Sequence, residues 1–254
     1  MKYVRFLWKN DVFCGILSGD RINVLQGDFF AEHTPTGHVV GLNEVKLLAP
    51  CKPSKAVCIG LNYRDHAEEM KSELPKEPLM FLKPSSALND PDGEVCYPSI
   101  SNNLHHEAEL AVVIGRTARH VKAEKAGEYI FGYTCANDVT ARDIQKGDGQ
   151  WTRGKGFDTF LPLGPCIETE LDPHTLEIKG WVNDELRQSS NTNNLIFSVP
   201  YLVEFVSKVM TLYPGDVILT GTPSGVGPMQ VGDRVTVEIA GIGSLQNRIV
   251  ADCE

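Results

Sequence analysis

His105-His106-Glu107-Ala108-Glu109-Leu110-Ala111-Val112-Val113-Ile114-Gly115 is the stretch on which the reading of this chain turns. Its second half is apolar and β-branched and is stopped by glycine, the pattern of a buried strand. Side chains alternate across a strand, so His105, Glu107, Glu109 and Ala111 share one face. His106, Ala108, Leu110, Val112 and Ile114 share the other, the face a core accepts. Two carboxylates two residues apart on one face repel each other. Either water screens them, or a lysine, an arginine or a metal ion lies between them. The stretch alone leaves both readings open.

Working outward, Phe131–Ala136 reads as a strand that delivers Asn137-Asp138-Val139-Thr140-Ala141-Arg142-Asp143-Ile144-Gln145. A polar cluster at the end of an apolar strand is a common way to place a site residue, which makes Asp138 a candidate third carboxylate. Three oxygen donors with no cysteine nearby favour a hard divalent ion, Mg²⁺ or Mn²⁺, over zinc. His105 fits a fourth ligand, a supporting neighbour or a surface residue equally well.

Further on, Gln150-Trp151-Thr152-Arg153-Gly154-Lys155-Gly156-Phe157 places glycines on both sides of Lys155, which lets a loop bring a lysine close to a ligand. Lys155 then either neutralises substrate charge beside the metal or is an exposed loop lysine. Upstream, the strand Ala56–Gly60 leads into Asn62-Tyr63-Arg64-Asp65-His66-Ala67-Glu68-Glu69-Met70, read as a short helix with Asn62 as its N-cap. His66 and Glu69 share a face at that spacing. A carboxylate can orient an imidazole and raise its basicity, as a general base requires, but an ordinary surface pair has the same spacing.

The loop Gly221-Thr222-Pro223-Ser224-Gly225-Val226-Gly227 lacks the Gly-Lys-Ser/Thr ending, the G-x-G-x-x-G fingerprint and the G-x-S-x-G elbow. Its backbone amides and Thr222 can still hold a carboxylate. Residues 1–50 read as strands Tyr3–Trp8, Phe13–Leu17, Arg21–Leu25 and Val45–Leu48 in a small β-rich N-terminal domain. Pro50 and Pro53 mark the boundary with a second domain over residues 51–254. In that part, residues 118–129 suit a helix and Leu176–Val182 a strand. Ser198 is expected to cap a helix Val199–Met210 whose stripe is Val199, Leu202, Phe205, Val206 and Val209. Asp233–Ile239 and Leu245–Val250 suit a hairpin.

At 254 residues, 42% hydrophobic and 22% charged, the chain has room for a real core. A formal charge of −9 without a lysine/arginine run argues against a nucleic-acid partner. Seven cysteines (14, 51, 58, 96, 135, 166 and 253), odd in number and never in C-x-x-C spacing, suit reduced thiols. The polar start MKYVRFLWKND and the lack of any long apolar run argue against a signal peptide or a membrane span. A cytoplasmic protein with no membrane partner is expected.

Several separated motifs then fit one family. IGLNYRDHAEEM, PLMFLKPSSA, LHHEAELAVVIG, NDVTARDIQ, WTRGKGFDTFLPLGP and LTGTPSGVG resemble the fumarylacetoacetate hydrolase superfamily. The resemblance is to its smaller members, the acylpyruvase/oxaloacetate decarboxylase-like proteins and the bacterial 2-hydroxyhepta-2,4-diene-1,7-dioate isomerases. It runs in order from about residue 55 to the C-terminus. It implies an α+β, mostly β fold with a mixed β-roll or β-sandwich catalytic domain, in a homodimer. It also implies metal ligation by Glu107, Glu109 and Asp138, catalytic roles for His66, Glu69 and Lys155, and substrate contact by Arg142, Gln145 and Thr222. The loop Lys146-Gly147-Asp148-Gly149-Gln150 is shorter and richer in glycine than in the acylpyruvase branch, so pocket shape is where a carried-over specificity is weakest.

The activity implied is metal-dependent chemistry on small 2-oxo or enol acids through an enolate. Hydrolytic C–C cleavage of acylpyruvate-type substrates is the first expectation. Isomerisation, tautomerisation or decarboxylation of diacids is the alternative, and a non-catalytic metal-binding relative is a third reading.

Overall fold

The structure, a computed structural model, describes residues 1–252. The decisive stretch forms two strands rather than one. Leu104–His106 and Ala108–Ile114 belong to different sheets, and Glu107 is the break between them. The break is held by Asn137 and Asp138: the Glu107 N–H donates to Asn137 Oδ1 at 3.0 Å, and its carbonyl accepts the Asp138 N–H at 2.9 Å. Leu104–His106 pairs with Thr140–Ala141 and Gly227–Met229 in a small three-stranded sheet. Ala108–Ile114 lies between Ile130–Asn137 and Val217–Leu219 in a 12-stranded sheet.

Every residue of Ala108–Ile114 is buried. Ala108, Leu110, Val112 and Ile114 pack into one core cluster, and Ala111 and Val113 into another. Burial on both faces explains why the segment reads as a continuous apolar run rather than an alternating one. It also removes the solvated-face reading of Glu109.

The large sheet runs, neighbour to neighbour, through His33–Gly41, Arg21–Gly27, Asp11–Ser18, Lys2–Trp8, Leu161–Glu168, Ile130–Asn137, Ala108–Ile114, Val217–Leu219, Ala56–Gly60 and Leu79–Lys83. A five-stranded sheet, ordered Glu185–Asn191, Glu177–Val182, Arg234–Ile239, Gly243–Val250 and Glu94–Cys96, packs on it face to face. Ile178, Val237, Ile239 and Leu245 from this second sheet share a core with Leu110, Val112 and Ile114. The result is the mostly β, sandwich-like architecture expected. Residues 1–50 continue the large sheet: Lys2 and Tyr3 pair with Glu168 and Ile167, and the Met1 ammonium lies 2.6 Å from Glu168 Oε1.

Several local readings need correction, and some elements have no reading. Leu161–Glu168, unassigned from the sequence, is an interior strand despite Pro162, Gly164 and Pro165. Its pairing jumps from Tyr133↔Glu168 to Cys135↔Gly164, so the chain around Pro165 bulges out of the ladder. Residues 118–129 form only a 3₁₀ turn, Ala123–Glu128. Arg142–Asp148 is a helix, closed by Gly149 at φ 69°.

Asn62 does not cap the helix Arg64–Glu69, where Tyr63 occupies that position. It is fully buried instead, with Nδ2 donating to Thr220 O and Phe197 O and Oδ1 accepting the Phe197 N–H. Ser198 makes no side-chain cap bond to the helix Val199–Val209, and Val203 replaces the exposed Val209 in its buried stripe. Among the described residues no helix is long and apolar enough to cross a membrane. Cys96 is disulfide-bonded, contrary to the expectation of reduced thiols; Cys14, Cys51, Cys58, Cys135 and Cys166 are free, and Cys253 lies outside the described residues.

Candidate active site

A cavity of about 560 Å³ opens where the strand break, the Asp138 corner, the two short helices after it and the glycine-rich loop converge. His66, Glu69, Glu107, Glu109, Asp138, Arg142, Gln145, Lys155 and Thr222 all line it. His105 lines it too, but the group of carboxylate oxygens lying within 4.8 Å of one another comprises Glu107, Glu109 and Asp138.

Those three carboxylates are 6%, 1% and 1% exposed. Burying three like charges is tolerable only with compensation. Lys155 Nζ lies 2.7 Å from Glu107 Oε2 and 2.6 Å from Asp138 Oδ2, and Arg142 pairs with Glu107 Oε1. Burial alone pushes the Glu107 carboxyl up, yet Lys155 and Arg142 beside it hold it well below the usual carboxylate range. The same carboxylates keep the buried Lys155 ammonium charged: burial works against the charge, Asp138 and Glu107 more than offset it, and the pKa is raised. Glu109 has no such cation. Burial and the neighbouring Asp138 and Glu107 push its carboxyl well up, against the more distant charge of Lys155 and the Gly221 N–H that its Oε2 accepts at 2.7 Å.

Lys83, which sequence reasoning left without a role, completes the arrangement. It is fully buried, and its three protons go to the carbonyls of Val139, Lys155 and Phe160 at 2.9, 2.6 and 2.8 Å. An ammonium has only three protons. The 2.8 Å contact to Asp138 Oδ1 is therefore an ion pair without a hydrogen bond, and that oxygen is buried with no donor. An undonated carboxylate oxygen, a second carboxylate starved of countercharge and an all-oxygen donor set together fit a hard divalent cation. Glu107, Glu109 and Asp138 are the residues that would hold it.

The Gly-Lys-Gly segment works differently from the loop expected. Lys155 ends the short helix Thr152–Lys155 and is 2% exposed. A Cβ at Gly154 would lie 2.8 Å from the Gln145 backbone nitrogen, and one at Gly156 would lie 2.7 Å from Thr152 O. These glycines admit neighbouring backbone rather than a ligand. Three amides of the Gly221–Gly227 loop are committed to protein carboxylates: Gly221 to Glu109, Ser224 to Asp65 Oδ1 at 3.4 Å, and Gly225 to Glu69 Oε1 at 3.0 Å. Gly225 has φ 91°, and a Cβ there would meet Arg187 O at 2.0 Å, so only glycine fits.

On the opposite wall, His66 Nδ1 lies 3.0 Å from Glu69 Oε2. A carboxylate only accepts, so Nδ1 carries a proton, and in the neutral imidazole Nε2 is the acceptor. Asp65 fixes the helix beneath by pairing with Ser190 Oγ. Sequence reasoning also missed the apolar wall of Leu79, Phe81 and Trp151. Trp151 packs edge-on to Phe81 and lies so close to Gly60 that a Cβ there would meet its ring at 2.7 Å.

Residues 55–250 match the description "Fumarylacetoacetate (FAA) hydrolase C-terminal". The chain belongs to the fumarylacetoacetate hydrolase family. Residues 1–50 match a second description, "Rv2993c-like, N-terminal". Over 225 residues the chain is 46% identical to the mitochondrial oxaloacetate tautomerase FAHD2B of Bos taurus, covering 84% of this chain and 72% of that one. The crystal structure of 2-hydroxyhepta-2,4-diene-1,7-dioate isomerase from Mycobacterium marinum superposes with a TM-score of 0.93 at 42% identity, covering 100% of both chains. Maleylpyruvate hydrolase from Sphingobium sp. SYK-6, solved with manganese(II) and pyruvate, gives 0.84 at 33% identity, over 99% of this chain and 100% of that one. This fumarylacetoacetate hydrolase family member is thus an enzyme among relatives with tautomerase, isomerase and hydrolase activities.

Proposed function

We propose that this enzyme is a divalent-metal-dependent isomerase or tautomerase of small 2-oxo dicarboxylic acids, moving a proton between carbon and the 2-oxygen. The observation that carries the reading is the charge balance of the site. The site gathers three carboxylates, Glu107, Glu109 and Asp138, and three cations, Lys83, Lys155 and Arg142, which pair with Glu107 and Asp138, so it holds three formal charges of each sign. A divalent cation leaves a surplus of two positive charges, which suits a dianion. The comparisons reverse the order of the first expectation. The tautomerase and the isomerase stand at 46% and 42% identity, whereas the C–C hydrolase stands at 33%.

A cation held by the three carboxylates supplies Lewis-acid polarisation of a 2-oxo group. Lys155 places a permanent ammonium beside that position, where it offsets the negative charge that grows as carbon loses a proton. His66, held by Glu69, presents a bare Nε2 to the cavity and takes or returns that proton. Arg142, whose Nη1 donates to Gln145 Oε1 at 2.7 Å, orients a substrate carboxylate. A homodimer, read from the family resemblance, is part of the proposal and is checked by light scattering after gel filtration.

C–C hydrolysis is the second reading, favoured by the His66–Glu69 pair, which can equally activate a water. Proton NMR of oxaloacetate and of acetylpyruvate, each with Mg²⁺ and with chelator, separates the two. Metal-dependent acceleration of keto–enol exchange in oxaloacetate without new products supports the proposal, and His66→Gln slows that exchange about 100-fold. Acetate and pyruvate from acetylpyruvate, with oxaloacetate exchange unaffected, would replace the tautomerase reading by the hydrolase.

A further inference from the structure

Gln188 is fully buried behind Thr222, and every hydrogen-bonding position of its amide is used. Oε1 accepts the Ala108 N–H at 2.9 Å and faces His106 Nδ1 at 3.0 Å, while Nε2 donates to Pro223 O at 2.8 Å and to Thr222 Oγ1 at 2.8 Å. The partners leave no freedom in the assignment. A backbone N–H only donates, so the atom facing Ala108 is the oxygen; a proline carbonyl only accepts, so the atom facing Pro223 is the nitrogen. His106 Nδ1 must then carry a proton.

The consequence falls on Thr222. Its hydroxyl lies 2.9 Å from Ala108 O, which only accepts, so the one Thr222 proton is spent there. One lone pair takes the Gln188 N–H. The hydrogen-bonding capacity left on this cavity-lining side chain is a single acceptor. We infer that Gln188 is a positioning residue that holds Thr222 Oγ1 as a proton acceptor toward bound ligand, so that the site selects ligands presenting a hydroxyl donor, the enol form of a 2-oxo acid among them.

The amide sits in a cradle made for it. A Cβ at Gly180 would lie 2.8 Å from Gln188 Oε1, and one at Gly225 would lie 3.4 Å from the Gln188 Cα. The strand Glu177–Val182 and the glycine-rich loop are thereby brought close to Gln188, which fixes it relative to the Thr222 loop. The inference rests on the proposed tautomerase reading for its substrate, but the hydrogen-bond polarity does not depend on turnover.

Two unreactive probes differ in that polarity: malate carries a 2-hydroxyl that can donate, and 2-fluorosuccinate carries a fluorine that cannot. Binding is measured by calorimetry on the Mg²⁺-loaded full chain, in parent and variant, so that ligation of the ion by the hydroxyl oxygen is common to both. The expected result is a malate preference, the ratio of the two affinities, about tenfold larger in the parent than in Thr222→Val, one net hydrogen bond. Thr222→Ser keeps the parent's preference.

Gln188→Leu removes the N–H that fixes the Thr222 side chain against Ala108 O, so its ratio falls toward that of Thr222→Val. Circular dichroism confirms that each variant is folded, and Gly180→Ala, which displaces the amide without changing its chemistry, is the second route to the same loss. Equal binding of the two probes by the parent protein overturns the inference, as does a ratio that survives in Thr222→Val. Absence of keto–enol turnover with the ratio intact removes the proposed function and leaves this inference standing.

Discussion

Glu107 and Lys155 show how much a single side chain's surroundings decide. Glu107 carries two cations on its two oxygens, whereas Glu109, two residues on, carries only the Gly221 N–H. Lys155 bridges Glu107 and Asp138 in the interior, where water cannot screen it. Replacing it by the nearly isosteric methionine removes the ammonium that bridges Glu107 and Asp138 and that the proposed mechanism sets beside the reacting oxygen. Lys155→Met is expected to lower kcat about 100- to 1,000-fold in the oxaloacetate exchange assay, with a much smaller change in KM. A loss confined to KM would place Lys155 in binding alone.

At the scale of elements, the site is built from ends. The strand Val217–Leu219 is tied to Ala56–Gly60 before either enters the sheet, because Asp216 accepts from Ser54 N and Oγ at 2.9 and 2.7 Å and pairs with Lys55 Nζ at 2.5 Å. Asp216 is buried. Although burial raises its pKa, Lys55, the Tyr213 N–H and Ser54 hold the carboxyl below its ordinary value. A depressed folded-state pKa stabilises the fold above the unfolded pKa and is lost as pH falls through the folded one. Asp216→Asn is therefore expected to cost about 3 kcal/mol at pH 7, roughly 6–12 °C in Tm for a chain of this size. The gap between parent and variant closes below about pH 4. A gap that is constant from pH 7 to pH 3 would show that the ion pair contributes nothing and that only shape is being read.

For the molecule as a whole, the carboxylate triad couples stability to metal. A cation that binds the folded chain and not the unfolded one adds about 2.7 kcal/mol at 100 times its dissociation constant. Thermal unfolding with Mg²⁺ or Mn²⁺ is expected to rise roughly 5–10 °C over the chelated protein. Glu109→Gln, which removes one negative charge from the donor set, should shrink that rise by most of its size. No shift with either metal, in protein that remains active, would mean that these carboxylates do not hold the ion.

The sequence by itself determined the local elements with strong periodicity, such as Ala56–Gly60 and the closing hairpin, now Arg234–Ile239 with Gly243–Val250. Apolar pattern is a local property, and it survives in one dimension. Spacing also carried the His66–Glu69 pair, since residues three apart on a helix meet whatever surrounds them. The remaining motifs were legible as a family resemblance, as chemistry strung along the chain in a fixed order.

Only the tertiary structure decided which of those residues meet. Glu107 and Glu109 belong to one cluster because the chain breaks at Glu107, and that break is made by Asn137 and Asp138, some thirty residues away. Lys83 and Gln188 gave no local signal, because a buried lysine satisfied by three carbonyls and a buried glutamine satisfied by four groups look like surface residues in a sequence. Leu161–Glu168 was hidden for the converse reason: its prolines forbid an ordinary ladder, and the neighbouring strands accommodate the bulge they force. Burial and hydrogen-bond completion are relations between distant segments, so they exist only once the chain has folded.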